Sequence, residues 1–313
     1  MFDETMTKDE ILNWVKTRLN FSCGDMHNNL IPFNVQQFNE FDLAYHSDYM
    51  DSAGLWGFKN ANGEVVCLPK FLFEPFCFGK NYIVCVGSGW EHYAELPEDK
   101  MWSKEMYWGL INDNFETVIP FEYDEVECVS DFKYDDNNEI IPNEIDYFVC
   151  RKYNEDKNKF YVESEVRDSK NKLIISGYSD VDYHINYNQL VVYKERKRWW
   201  QNNKSGYAGV YDFSLNKEII KPDKYHHIEI EDYNLFLVSD DVENYSNGTL
   251  INEKGIIIGE EKIWDQVCHT FNDSKKYKYQ ASTMDKKYYV FNIKDNKIVD
   301  QLEITCDEFL NKY

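Results

Sequence analysis

Apolar and polar positions alternate in short runs along most of this chain, and Asn, Asp and Gly separate the runs. The pattern is fullest from Met106 to Glu127. Trp108-Gly109-Leu110-Ile111 reads as one strand, Asn112-Asp113-Asn114 as a tight turn of residues that tolerate left-handed backbone, and Thr117-Val118-Ile119 as the returning strand. Pro120 has no N–H to give to a ladder and is expected to end that strand. Tyr123-Asp124-Glu125-Val126 then opens another, with its aromatic and aliphatic residues three apart.

Copies of this unit recur on both sides. The first, residues 54–69, has Trp56-Gly57-Phe58 on a strand, Asn62-Gly63 at the turn and Pro69 at the end. Weaker copies occupy residues 162–181, 206–228, 248–267 and 288–304, which makes about six. The residue after the motif glycine aligns as Phe58, Leu110, Val166, Val210, Leu250 and Val290, spaced 40 to 56 residues apart. An aromatic latch follows 12 to 15 residues later, at Phe73, Tyr123, Tyr178, Tyr225 and Trp264, with an apolar residue three further on. Between each latch and the next copy lies another strand-like run, such as Tyr82 to Val86 or Asn234 to Ser239. A unit of three or four strands cannot bury its own apolar side, so neighbouring copies must supply the core.

Leu55-Trp56-Gly57-Phe58 with Asn62-Gly63-Glu64-Val65-Val66, and Trp108-Gly109-Leu110-Ile111-Asn112 with Val118-Ile119-Pro120 and Tyr123-Asp124-Glu125-Val126, resemble the WG-repeat family of bacterial proteins. The third copy lacks the Trp-Gly pair, the fourth has Ala208-Gly209, the fifth Gly248-Thr249, and the sixth has no glycine there. The resemblance covers roughly residues 51–305 and is strongest to about residue 130. It implies a non-catalytic, partner-binding β-repeat module and supplies no catalytic residue. In physical terms the Trp is expected to tie one repeat to its neighbour, and the Gly to let backbone approach the indole.

Outside the repeats, Thr7 reads as an N-cap with Glu10 as its capping-box partner, and Ile11, Trp14, Val15 and Leu19 share one helical face. Residues 20–50 have no clean period. The expected organisation is an N-terminal helix and irregular capping segment over 1–50, a WG-type β-repeat domain over 51–305, and a short C-terminal helix or tail over 306–313. The fold class is all-β, an array of about six antiparallel repeats. An open curved array suits the unequal spacing and the terminal helices, and a six-bladed propeller is the alternative.

Composition sharpens the functional side. Thirty-four Lys and Arg stand against 56 Asp and Glu, for a net charge of -22 and a pI near 4.7. Nucleic-acid phosphate would be repelled and a basic partner attracted. The eight cysteines form no C-x-x-C pair and read as buried free thiols. An acidic N-terminus and the lack of a long apolar run give the expectation of a cytoplasmic protein.

Candidate chemistry is sparse. His226 and His227 are adjacent and would face opposite ways on a strand, which disfavours a shared metal. Asp124, Asp180 and Asp265 fall at or beside the latch, as turn residues would. Gly87-Ser88-Gly89 lacks the context of a phosphate loop or a nucleophile elbow. The expectation is no enzyme, no cofactor and no metal, with structural roles for Trp56, Gly57, Trp108, Gly109, Tyr123, Tyr178, Tyr225 and Trp264.

Two segments depart from the repeat. Ser130 to Glu144 is an acidic insertion containing Asp135, Asp136 and Glu139, and Tyr193 to Gly206 is a basic patch with Arg196, Arg198, Trp199 and Trp200. Exposed Trp beside Arg is the composition of an interface anchor; alternatively both indoles pack over the repeat edge. The function these features suggest is that of an immunity or inhibitor protein occluding a basic toxin, with a general scaffold or sensor module as the alternative.

Overall fold

The computed structural model describes residues 7–19, 22–37, 54–87, 106–129, 133–134, 140–141, 147–156, 159–186, 188–195, 206–242, 247–270 and 276–311. Helix α1 (Lys8–Lys16) starts as its sequence requires: Thr7 N donates to Glu10 Oε2 at 2.7 Å, and Glu10 N donates back to Thr7 Oγ1. Its Val15 is buried against Phe33 and Val35, with Trp14 and Leu19 beside it.

Among the described residues the strands form six antiparallel sheets of three or four strands and one small ribbon. The first sheet takes β1 (Ser22–Cys23), β2 (Leu30–Gln37), β3 (Gly54–Asn60) and β4 (Val65–Phe71) in that order. The second takes β5 (Phe76–Phe78), β6 (Asn81–Gly87), β7 (Met106–Asn112) and β8 (Thr117–Tyr123). The third begins with β9 (Glu125–Val129). The chain then forms the ribbon of β10 (Lys133–Tyr134) and β11 (Ile140–Ile141) inside the acidic insertion, and returns with β12 (Tyr147–Asp156), β13 (Lys159–Asp168) and β14 (Leu173–Tyr178). The fourth sheet is β15 (Asp180–Asn186), β16 (Gln189–Lys194), β17 (Tyr207–Asp212) and β18 (Lys217–Tyr225). Three strands make the fifth: β19 (His227–Asp232), β20 (Leu235–Ser239) and β21 (Thr249–Asn252). The sixth is β22 (Trp264–His269), β23 (Tyr279–Thr283), β24 (Tyr288–Lys294) and β25 (Lys297–Ile304), followed by α2 (Cys306–Asn311).

The first five sequence repeats therefore each straddle two sheets, and the sixth, β24 and β25, stays within one. The motif hairpin supplies the third and fourth strands of one sheet, and the two runs after the latch supply the first and second strands of the next. Backbone bonds mark the handover: Asp124 N donates to Arg151 O, Ser179 N to Tyr193 O, and His226 N to Ser239 O. The first sheet has no preceding repeat. It takes β1 and β2 from residues 22–37, which the sequence left without regular structure, so the boundary expected at residue 50 falls inside that sheet.

Contacts divide the chain into two compact units, 1–128 with 142–152 and 166–175, and 129–141 with 153–165 and 176–313. In the first unit β6 is buried along its whole length. Tyr82, Val84 and Val86 pack with Trp56, Phe58 and Phe71 on one side, and Ile83 packs with Leu110, Ile119 and Phe148 on the other. The second unit repeats this arrangement. Phe236 and Val238 of β20 join Val191, Val210 and Ile220, while Leu235 and Leu237 join Trp264, Tyr279 and Phe291. A second strand covered on both faces has to be apolar throughout, and this is why these runs do not alternate.

The motif glycine has a role the sequence did not reveal. A Cβ on Gly57 would lie 2.7 Å from Cys67 O and Pro69 N, one on Gly209 would lie 2.6 Å from Ile220 O and 2.7 Å from Pro222 N, and one on Gly109 would lie 2.8 Å from Ile119 O. The neighbour that excludes a side chain is the backbone of the returning strand, not an indole. That strand bulges opposite the glycine, with register shifts at Trp56/Phe58, Trp108/Leu110 and Ala208/Val210. The prolines do not end the strand either: β4, β8 and β18 continue through Pro69, Pro120 and Pro222. These are the outermost strands of their sheets, where a missing N–H is tolerated. Gly57→Ala and Gly209→Ala are each expected to lower unfolding free energy by about 1–3 kcal/mol through this overlap, read from urea denaturation.

Four of the motif hairpin turns share one device. The last residue of the motif strand turns its side-chain oxygen onto the loop: Asn60 Oδ1 accepts from Asn62 N and Glu64 N, Asn112 Oδ1 from Asn114 N and Glu116 N, and Asp168 Oδ1 from Lys170 N and Lys172 N. Asn252 Oδ1 does the same for Lys254 N and Ile256 N. Gly63, Phe115, Asn171 and Gly255 then take the left-handed position, the geometry of a type I turn closed by a bulge.

Register also corrects the first latch. Trp56 pairs with Phe71, as Trp108 pairs with Tyr123 and Ala208 with Tyr225. Phe71 is therefore the first latch, while Phe73 stacks on Trp108 at 5.5 Å. All eight cysteines are free thiols, but only Cys67, Cys85 and Cys150 are buried, whereas Cys23 and Cys306 are exposed; no helix among the described residues is long and apolar enough to cross a membrane.

Candidate functional site

Arg196, Arg198, Trp199, Trp200, Asp135, Asp136 and Glu139, the partner-binding residues expected from sequence, lie outside the described residues. The repeat residues are placed. Trp56, Tyr123 and Trp264 are buried, Tyr178 is nearly so, and Trp108 and Tyr225 are half-buried. The two adjacent histidines diverge: His226 stacks on Tyr207 at 4.9 Å, and His227 Nε2 lies 2.9 Å from Glu229 Oε1. No group of three or more metal-ligating side chains occurs among the described residues.

The feature that sequence reasoning missed is in the fifth sheet. Its hairpin begins like the others: Asn252 N donates to Ile256 O, Ile258 N donates to Leu250 O, and Ile251 faces Ile257 in an antiparallel bridge. Ile258 is buried, as are Cys67, Ile119, Ile175 and Ile220 at the same place in the other hairpins. At Gly259 the chain leaves the sheet with φ +85°, where a Cβ would also meet Ile298 Cδ1 at 2.7 Å. It rejoins at Trp264, whose backbone exchanges two hydrogen bonds with Gly248. This pairing matches Trp56 with Phe71, so residues 259–263 are an excursion where the other sheets have a continuous fourth strand.

That excursion opens a groove of about 1020 Å³ against the sixth sheet. Trp264 and Tyr289 line it, in edge contact at 6.0 Å. Ile256, Ile257 and Met284 line it too and are exposed. Among the charged side chains of its rim, Lys262 Nζ pairs with Asp240 at 2.8 Å and Lys287 Nζ with Asp285 at 2.7 Å. Gly259 in place of an extended residue, after three consecutive isoleucines, was the signal in the sequence.

A family model described as WG containing repeat matches residues 108–136, a stretch that takes in most of β7 and all of β8, β9 and β10. The chain therefore carries a WG repeat. The chain has no match among curated proteins. Solved structures similar to it include one titled as a crystal structure of the eukaryotic initiation factor, at 10% identity and TM-score 0.37, covering 88% of this chain and 63% of that one. Another is the acylaminoacyl peptidase of Pyrococcus horikoshii, at 10% identity and TM-score 0.34, covering 88% of this chain and 44% of that one. The chain thus spans less than two thirds of either structure.

A second polar cluster lies where the fifth and sixth sheets adjoin. Asp232 accepts from Tyr279 Oη at 2.6 Å and pairs with Lys278 and His269. Burial works against its charge, but the hydrogen bonds from Lys278 and Tyr279 outweigh it and hold its carboxyl below the usual range. His227, Glu229 and Glu231 alternate along β19 and so share a face. Burial first, and the neighbouring Glu229 charge second, push the Glu231 carboxyl up to about 8. The folded state therefore holds a proton that the unfolded chain releases near the ordinary carboxylate range, so stability falls as pH rises from about 5 to about 8. Glu231→Gln is expected to flatten that slope and to raise the melting temperature at pH 8 more than at pH 5, as thermal melts across the range would show.

Proposed function

We propose that this WG-repeat protein is a non-catalytic binding protein that occludes a basic protein partner, in the manner of an immunity protein covering a toxin. The observation that carries the reading is the net charge of -22 on a repeat scaffold. Such a field concentrates a cationic partner near the surface and speeds its encounter, while repelling nucleic acid. The family resemblance supports a binding role and brings no catalytic residue with it. The general scaffold remains the second reading, favoured by the open groove of the fifth sheet, which is built for contact rather than for charge. The discriminating experiment is co-expression with the product of the adjacent reading frame. Growth arrest caused by that product and relieved by this chain is the expected result. A harmless neighbour that does not bind the purified protein would leave the scaffold as the reading.

A further inference from the structure

We propose that the groove beside the interrupted fourth strand of the fifth sheet docks an extended, uncharged peptide segment of a partner protein, which pairs with Ile257 and packs against Ile256 and Met284. The inference rests on the reading of the chain as a protein-binding array and names the surface and the kind of segment it takes. In the antiparallel bridge between Ile251 and Ile257, the flanking bonds are made by Ile256 O and Ile258 N. Ile257's own N–H and C=O therefore point away from β21, and neither has a backbone partner among the described residues. An extended segment is the occupant that offers a donor and an acceptor together at that edge, as in strand addition to exposed sheets.

The side chains and charges agree on what that segment must be. Ile256, Ile257 and Met284 are 46%, 40% and 50% exposed along the groove, a cluster that solvent alone does not favour. The rim sets Glu260, Asp285 and Asp295 against Lys262, Lys287 and Lys297. It is thus neutral within a chain of net charge -22. A basic segment gains nothing there, and a neutral one with apolar side chains loses no hydrated charge on entering. The groove volume of about 1020 Å³ accommodates a short stretch of extended chain.

The test uses the full chain and capped heptapeptides alternating Thr with Val, Leu or Phe, titrated while amide resonances and tryptophan fluorescence are followed. At least one peptide is expected to bind saturably, shifting the Ile257 and Gly259 amides and the Trp264 emission, the last identified by its loss in Trp264→Phe. Ile256→Asp and Met284→Asp should weaken that binding at least tenfold with unchanged melting temperatures, since both residues are exposed. A peptide N-methylated along one edge should lose it. Saturation by no peptide, or binding unaffected by these substitutions, overturns the proposal. So does self-association abolished by Met284→Asp, which would give the groove to a second copy of the chain. Binding of a neutral peptide should be insensitive to salt, whereas capture of a basic partner is not. Loss of groove binding and loss of the inhibitor reading are therefore separate results.

Discussion

Trp264→Ala is expected to lower the unfolding free energy by about 3–5 kcal/mol, the range for truncating a buried tryptophan. Trp264 is 1% exposed, sits between the fifth and sixth sheets, and lies 5.6 Å from Phe291 and 6.0 Å from Tyr289 by ring centroids. It also closes the fifth sheet by pairing with Gly248, so the cavity left by truncation adjoins a groove already open to water. Its indole N–H meets no acceptor among the described residues. Trp264→Phe should accordingly cost less than the lost area suggests, because it also removes a buried, unpaired donor. Trp56→Ala, at 3% exposed, belongs in the same range. Trp108→Ala should fall below both, because Trp108 is half-buried. Urea unfolding of the three variants checks the order. A loss at Trp264 under about 1 kcal/mol would mean that the latch does not tie the sheets together.

That ranking differs from one based on sequence, and the reason is physical. The Trp-Gly pair advertises two copies, whereas Gly248 and Ala208 occupy the same register without an aromatic and leave the burial to the latch. The strands themselves were legible wherever hydrogen-bonding turns and apolar runs coincided, as at Asn60 to Glu64 or Tyr82 to Val86. The Thr7–Glu10 box was legible because both halves of a cap lie within one helical turn. β2 was not. Leu30–Gln37 carries Pro32, Asn34 and two glutamines, and its strand state depends on β3, which lies beyond residue 53. Pro32 is accommodated because its nitrogen faces the β1 side, where β1 itself is only two residues long. Pro69 and Pro120 misled for the opposite reason: a proline reads as a strand breaker until the strand is known to lie at an edge. The groove was hidden because Gly259 looks like one more turn glycine until register shows that Trp264 returns to the same sheet.

If the protein captures a basic partner, its association rate should fall at least tenfold as ionic strength rises from about 0.01 M to 0.15 M, where the Debye length shrinks from roughly 30 Å to 8 Å. The acidic excess of a chain with 56 Asp and Glu is spread over its length, so the attraction acts before contact and its loss appears in encounter. Dissociation, which depends on contacts already made, should change much less. The sequence singles out two sets of residues for opposite tests. Charge reversal at Asp135, Asp136 and Glu139 should slow association and leave dissociation nearly constant. Trp199→Ala and Trp200→Ala should speed dissociation, by about 2 kcal/mol if either indole is an anchor. Arg196→Ala and Arg198→Ala remove positive charge from an acidic protein, so they should quicken association with a basic partner even if they weaken the final complex. Melts of every variant separate binding from folding. Trp variants that melt early and bind as before would belong to repeat packing, and the search for the anchor would move to the groove beside Ile257. A rate indifferent to salt would remove the charge of -22 from the explanation and leave apolar contact as the means of capture.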